Sequence, residues 1–273
     1  MDRLTDFRHV FAQALVARAG CPGNDALLRA FKTIRRHDFV GPGPWVVRED
    51  GTTTVSDDPA LVYQDMGIGL TAGIPTGLPS LHARFLDILQ VTPGLRVMQV
   101  GAGTGYFTAI LAELVGETGH VLAFEIDSAL ASRAQANLAH WRWVRVEPRS
   151  GLVVPDELVD LVYVNAGVQQ IPREWLLALR PGGQVLFPLV SASGNGAVFI
   201  VTRTGADSCS ARFVCRAQFV PCIGTQDEAA SARLAVQFQT DTCESVRSLR
   251  LAPSQPDATA WVAGSGWWLS TAP

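Results

Sequence analysis

An α/β architecture, a mostly parallel sheet with helices on both faces, is predicted by three features of this sequence. Short apolar runs of strand length alternate with segments of helical period between Arg96 and Pro188. One such run, Val97 to Val100, passes through alternate glycines, Gly101, Gly103 and Gly105, directly into a helical segment. An acidic residue, Glu125, closes the next strand, 22 residues after Gly103.

The individual elements follow from local pattern. Leu4, Phe7, Phe11 and Leu15 recur at helical spacing, and Gly20, Pro22 and Gly23 end that helix. Asn24 suits the N-cap of a second helix with Leu27, Leu28, Phe31 and Ile34 on one face. Val40 to Leu78, rich in Gly, Pro, Thr and Asp, predicts irregular chain with short strands; long loops of this kind are often functional. Helix returns at Ser80 to Leu89. In the alternating region the strands are Arg96–Val100, His120–Ile126, Trp143–Val146, Leu158–Asn165 and Gln184–Pro188. The helices between them are Phe107–Val115, Ser128–Ala139, capped by Asp127, and Arg173–Leu179. Ala197–Thr202 and Arg212–Val220 then predict a hairpin at the sheet edge. A helix, Asp227–Phe238, and two strands, Val246–Leu251 and Trp261–Leu269, complete the chain. Three regions are expected: N-terminal helices with a substrate-side loop (1–90), a ligand-binding core (91–222), and a C-terminal α+β addition (223–273) packed on the core.

Composition narrows the classes. The 273 residues are 48% apolar and 17% charged, enough for a sizeable core. A net charge of -3 argues against general nucleic-acid binding. Lys32 is the only lysine, which excludes a phosphate loop with its own lysine. No apolar run spans a bilayer, and Asp2, Arg3, Asp6, Arg8 and Arg18 interrupt any signal-peptide core, so no membrane partner and a cytoplasmic setting are expected. The five cysteines are odd in number and irregular in spacing, which suits buried free thiols and no metal site.

The glycine loop is the most informative segment. Glycines let the backbone turn sharply and approach a ligand, and the helix that follows offers unpaired N–H groups. Glu125 stands where a carboxylate accepts hydrogen bonds from a ribose diol. The spacing is G-x-G-x-G, not the G-x-G-x-x-G of dinucleotide folds, which sets aside a nicotinamide enzyme.

Gly101-Ala102-Gly103-Thr104-Gly105-Tyr106 resembles the first motif of class I methyltransferases, and Leu179-Arg180-Pro181-Gly182-Gly183 resembles their later L-(K/R)-P-G-G turn. Arg36-His37-Asp38-Phe39-Val40, then Tyr63 and Asp65, resemble the R-H-x-F-V and Y-x-D segments of protein-L-isoaspartate O-methyltransferases. Val164-Asn165-Ala166-Gly167 through Ile171-Pro172, and the closing Phe219-Val220-Pro221, are similar to the same family. The resemblance covers about Asn24 to Cys222. It implies a Rossmann-like methyltransferase fold with a mostly parallel seven-stranded sheet, S-adenosyl-L-methionine as cofactor, and methyl transfer to the carboxylate of an L-isoaspartyl residue in protein repair.

Residue roles follow from that resemblance. Gly101, Ala102, Gly103 and Gly105 would admit the methionine portion. Glu125 and Ile126 would flank the ribose, and Ser150 and Gly151 the adenine, with Asn165 and His82 also beside the cofactor. Thr76, Gly77 and Pro79 would line the transfer site. Three departures stand out. Anchored on Pro79, the serine of the family's T-I-S-x-P is Gly77, with Thr76 and Ser80 as nearby hydroxyls. Gln99 replaces an Asp or Glu, and Arg149-Ser150-Gly151 replaces G-D-G. These leave open three partners or roles: an isoaspartyl protein or peptide, a different carboxylate in a peptide or small metabolite, or cofactor binding without catalysis. The oligomeric state is not readable from the sequence.

Overall fold

The computed structural model describes residues 3–49, 52–70, 74–205, 208–240 and 242–273. Along the chain the elements are α1 (Arg3–Arg18), α2 (Asp25–Thr33), α3 (Arg36–Val40), β1 (Trp45–Glu49), β2 (Thr52–Ser56), a 3-10 turn (Pro59–Tyr63), α4 (Pro79–Ile88), β3 (Arg96–Val100), α5 (Tyr106–Val115), β4 (His120–Phe124), α6 (Ser128–Leu138) and β5 (Val144–Glu147). There follow β6 (Val159–Val164), α7 (Arg173–Ala178), β7 (Leu179–Val190), β8 (Asn195–Arg203), β9 (Cys209–Gln218), α8 (Glu228–Gln237), β10 (Ser248–Leu251), β11 (Ala260–Gly264) and β12 (Trp267–Ser270). They fall into two compact units, Met1–Leu95 with Ala102–Arg149, and Arg96–Gly101 with Ser150–Pro273.

In the first unit the caps are local and match the sequence. Asn24 Oδ1 accepts from Leu27 N at 2.9 Å, and Asp127 Oδ1 accepts from Ala129 N and Leu130 N at 2.9 Å each. Each such cap contributes about 1 kcal/mol. β4 and β5 pair in parallel, and α5 buries nine of its ten residues, so it is packed on all sides. The region expected to be irregular with short strands, Val40 to Leu78, holds the antiparallel β1–β2 pair, and just before it lies the short helix α3, which the sequence pattern did not single out.

In the second unit the strand order is β11-β12-β10-β9-β8-β7-β6-β3. β3, β6 and β7 run parallel, and the rest of the ladder is antiparallel. The fold is thus α/β with a parallel core, as expected, and the sheet is mixed. The seven strands inferred from the resemblance are exceeded, because the last 26 residues, Ser248–Pro273, add three antiparallel strands. Two expectations change. The β8–β9 hairpin is not at the edge, since β10 hydrogen-bonds to β9. The single strand expected over Trp261–Leu269 is two, because the chain reverses at Ser265-Gly266, where Gly266 takes a φ of 76°. Trp261, Trp267 and Trp268 are all buried, and the Trp261 ring lies 5.7 Å from that of Phe199. Among the described residues no helix is long and apolar enough to cross a membrane.

Candidate active site

The glycine loop has the geometry its sequence calls for. Gly101, Gly103 and Gly105 have φ values of 80°, 58° and 95°, a region closed to most side chains. At Gly105, which caps α5, a Cβ would also lie 2.8 Å from Leu138 Cδ1. Ala102 N donates to Phe124 O at 3.0 Å, which ties the loop to the end of β4. Glu125, only 7% exposed, uses both carboxylate oxygens: Oε2 accepts from Gly103 N at 2.7 Å and Oε1 from Asp127 N at 3.0 Å. Each oxygen retains a lone pair for a further donor. Beside it Ile126 is an exposed aliphatic side chain. Arg149 is engaged, its guanidinium 5.1 Å from the Phe124 ring centroid and 3.5 Å from Glu147.

Asn165, Ser150 and Gly151, also expected at the cofactor, lie in the second unit with Gly101, whereas His82 lies in the first. Asn165 N donates to Val100 O at 2.8 Å, and a Cβ on Gly101 would stand 3.5 Å from Asn165 Cβ. Asn165 Oδ1 is buried without a partner among the described residues, as are both amide atoms of the fully buried Gln99. Ser150 Oγ accepts from Leu152 N at 3.3 Å, and Gly151 O accepts from Trp175 Nε1 at 2.9 Å.

Within the first unit, three motifs far apart in sequence meet around Arg36. Its guanidinium is fully buried and donates to Val62 O (2.9 Å), Gln64 O (2.8 Å), Met66 O (2.6 Å) and Thr76 Oγ1 (3.2 Å). Burial lowers its pKa, and it lies 5.8 Å and 5.7 Å from the Phe11 and Tyr106 ring centroids. His37 Nδ1 and Tyr63 Oη are 2.6 Å apart. Asp65 Oδ1 accepts from Ser80 N at 2.8 Å, capping α4. A charged side chain this deep is tolerated because carbonyl oxygens, not water, solvate it. Arg36 belongs to the R-H-x-F-V segment, yet no local pattern shows that it points inward.

The expected transfer-site residues sit on that cluster. Thr76 Oγ1 accepts from Arg36 and from Ile68 N at 3.0 Å, so it ties the loop together. Pro79 opens α4 at its first position. At Gly77 a Cβ would lie 1.9 Å from His82 Nε2, so the imidazole fills the space of a side chain there. His82 is 2% exposed and stacks on Phe107 with ring centroids 3.7 Å apart at 18°. Burial first, then the nearby positive Arg36, lowers its pKa to about 3, so the ring is neutral. Burial instead raises the pKa of Tyr106, whose hydroxyl is without a partner among the described residues. Phe107 and Tyr106 were not expected at the site; their position directly after Gly105 is the one sequence signal they carry.

Comparison with known proteins agrees with this geometry. The family model for protein-L-isoaspartate(D-aspartate) O-methyltransferase matches residues 15–227. A protein-L-isoaspartate O-methyltransferase of Pyrobaculum neutrophilum is 30% identical over 219 residues, 78% of this chain and 97% of the relative. Its counterpart from Methanothermobacter thermautotrophicus is 28% identical over 225 residues, 81% of this chain and 97% of the relative. Two solved structures share the fold. A protein-L-isoaspartate O-methyltransferase aligns with a TM-score of 0.66 at 23% identity, covering 84% of this chain and 69% of its own. A Plasmodium falciparum protein described under the same activity, in complex with S-adenosyl-L-homocysteine, aligns with a TM-score of 0.64 at 17% identity, covering 79% of this chain and 97% of its own. Fold, glycine loop and sequence agree, and the chain belongs to the protein-L-isoaspartate(D-aspartate) O-methyltransferase family of S-adenosylmethionine-dependent enzymes.

Proposed function

We propose that this chain transfers a methyl group from S-adenosyl-L-methionine to the free carboxylate of an L-isoaspartyl residue in a protein or peptide. The observation that carries the reading is the Gly103–Glu125 contact within a family match over residues 15–227. The residues suit the cofactor. Gly101, Ala102, Gly103 and Gly105 offer a Cβ-poor loop, and the Gln99 amide and Asn165 Oδ1, without partners among the described residues, would meet the cofactor's polar groups. Glu125 would take the ribose diol, Ile126 would pack on the cofactor's apolar surface, and Ser150 and Gly151 would stand by the adenine. Residues 1–90 would serve the substrate side, 91–222 the cofactor, and 223–273 an added layer on the core, in a cytoplasmic protein.

The cofactor, when bound, supplies an electrophilic methyl group on a sulfonium sulfur. What the chain must add is placement. A carboxylate is ionised at neutral pH and is already a nucleophile, so no general base is required. One C–O bond forms as one C–S bond breaks, and charge is neutralised, so exclusion of water favours the step. The stack of buried His82 on buried Phe107, beside half-buried Gly77, keeps water from that side and suits such a reaction. Gly77 in place of the family's serine favours one second reading, in which the acceptor is another carboxylate of a peptide or metabolite.

The test is incubation with methyl-labelled S-adenosylmethionine and an isoaspartyl peptide beside the matching aspartyl peptide. Base-labile label on the isoaspartyl peptide alone is the expected result. Label on neither, with cofactor binding intact by calorimetry, rejects the isoaspartyl acceptor and favours the second reading.

A further inference from the structure

The segment that follows β6, residues 165–172, is held in two different ways along its length. Asn165 opens it at the carboxyl end of parallel β6, the end at which sheets of this kind take their ligands, and its Oδ1 is buried without a partner among the described residues. Main-chain bonds hold the first part: Gly167 N donates to Val220 O at 2.8 Å, Cys222 N to Gly167 O at 2.7 Å, and Val168 N to Pro188 O at 2.8 Å. From Gln169 onward side chains take over. Buried Gln169 accepts through Oε1 from Asp227 N at 2.7 Å. Half-buried Gln170 donates through Nε2 to Asp227 Oδ2, and accepts through Oε1 from Ser265 N at 3.2 Å and from Trp267 Nε1. The partners of Gln170 stand 57 to 97 residues away in sequence.

The far side of this junction is well ordered by its own contacts. Asp227 Oδ1 caps α8 by accepting from Ala230 N at 2.7 Å, so one carboxylate joins that helix to the loop. The Ala230 N–H first, then the Gln170 amide, lower its pKa, which keeps it ionised. Ser265 lies in the β11–β12 reversal, and the Trp267 indole lies across Gly264, where a Cβ would stand 2.2 Å from Trp267 Cε2. Any side chain at 264 would push the indole N–H off Gln170. The family match ends at residue 227, so Ser265 and Trp267 belong to the part of the chain beyond it. The two ends of one amide thus face different elements, donor toward α8 and acceptor toward the last hairpin. We propose that Gln170 is a positioning residue for the cofactor site, through which the C-terminal strands brace loop 165–172 and hold Asn165 where it meets the cofactor. This rests on the placement of the cofactor beside Asn165 proposed above, not on the identity of the acceptor. A loop braced in advance gives up less freedom when the cofactor arrives.

The experiment measures S-adenosylhomocysteine affinity by calorimetry for wild type, Asn165→Ala, Gln170→Ala, Gln170→Glu and Arg233→Ala, with circular dichroism melts to show that each is folded at the temperature used. Asn165→Ala tests the underlying placement and is expected to weaken binding about tenfold. Gln170→Ala tests the brace and is expected to weaken it about 3- to 10-fold. Gln170→Glu keeps the acceptor for Ser265 and Trp267 but sets a second carboxylate against Asp227. It is expected to bind as weakly as Gln170→Ala at pH 8 and to come within about twofold of wild type at pH 5, where the pair shares a proton and the bond to Asp227 forms again. Arg233→Ala loosens α8 from Ala263 O, 2.8 Å from Arg233 Nε, and leaves the Gln170 bonds in place. It is expected to lower the melting temperature without changing affinity. Gln170→Ala within about twofold of wild type, while Asn165→Ala is weak, overturns the brace and keeps the cofactor placement. Asn165→Ala within about twofold of wild type overturns the placement and the brace with it. A loss in Arg233→Ala equal to that in Gln170→Ala, or no recovery of Gln170→Glu at pH 5, shows general loosening of the C-terminal strands and also overturns the proposal.

Discussion

Removing the Arg36 guanidinium, by Arg36→Met, tests whether one buried cation organises the substrate side. The side chain makes four hydrogen bonds, three of them to the main-chain oxygens of Val62, Gln64 and Met66. Methionine fills the stem of the pocket but donates nothing, so three carbonyls lose a partner. Each buried group left unsatisfied costs about 1–3 kcal/mol, an upper total of about 9 kcal/mol. Two effects reduce this. The loop can relax toward water, and burying an arginine without a carboxylate in contact is itself costly. Asp65, which attracts it, is bonded instead to Ser80 N and to Arg18, at 2.8 Å and 3.5 Å. The expected net loss is about 3 kcal/mol, or roughly 6–12 °C in melting temperature at about 2–4 °C per kcal/mol. Circular dichroism melts read this directly, and kcat/KM on the isoaspartyl peptide at 25 °C should fall as well, since Thr76 and the 62–66 turn lose their common anchor. Arg36→Lys keeps the charge with fewer reachable acceptors and should fall between. A melting temperature for Arg36→Met within about 2 °C of wild type would show that the carbonyls find other donors, and the argument would be wrong.

Three further outcomes are expected. Gly105→Ala combines a φ of 95° with a Cβ 2.8 Å from Leu138 Cδ1, and should cost about 2–4 kcal/mol in urea unfolding; an unchanged midpoint would contradict the strain. Glu125→Ala removes the acceptor of Gly103 N and of the proposed ribose contact, and should weaken S-adenosylhomocysteine about 10- to 100-fold by calorimetry. His82 sets a pH dependence of stability: folded, it stays neutral down to about pH 3, while its ordinary value is 6.5, so only the unfolded chain takes up the proton between those values. Stability should therefore fall as pH is lowered from about 6.5 toward 3, by at most about 1.4 kcal/mol per unit, and His82→Leu should flatten the slope in pH-resolved urea titrations.

What was legible in the sequence was what is covalently local. The strand–glycine–helix passage and Glu125 lie within 29 residues, Val97 to Glu125, and the Asn24 and Asp127 caps act over two or three. Such features need no knowledge of tertiary structure. Arg36 was not legible as a buried group, because its acceptors come from 26 to 30 residues away and at Thr76, and arginine is by default a surface residue. The Gly77–His82 pair was hidden for the same reason: the sequence shows a missing serine but not the ring that fills its place. β7 runs to 12 residues although Pro181-Gly182-Gly183 reads as a break, since the irregularity is absorbed as a register shift against β6. The turn at Ser265-Gly266 was legible in principle, as Gly-Ser-Gly between apolar runs is a hairpin signal.

The parallel pairing of β3 with β6 carries a consequence for biogenesis. Val97 faces Leu161 across the ladder, so the flank of β3 that β6 covers stays bare until more than 60 further residues have been made. At about 5–20 residues per second that is a delay of several seconds, during which Arg96-Val97-Met98-Gln99-Val100 offers an apolar strand flank to the nascent-chain environment. Truncated translation products ending before Val159 would carry that flank permanently and are the species from which insoluble material should grow when this gene is expressed faster than its chaperones can keep pace.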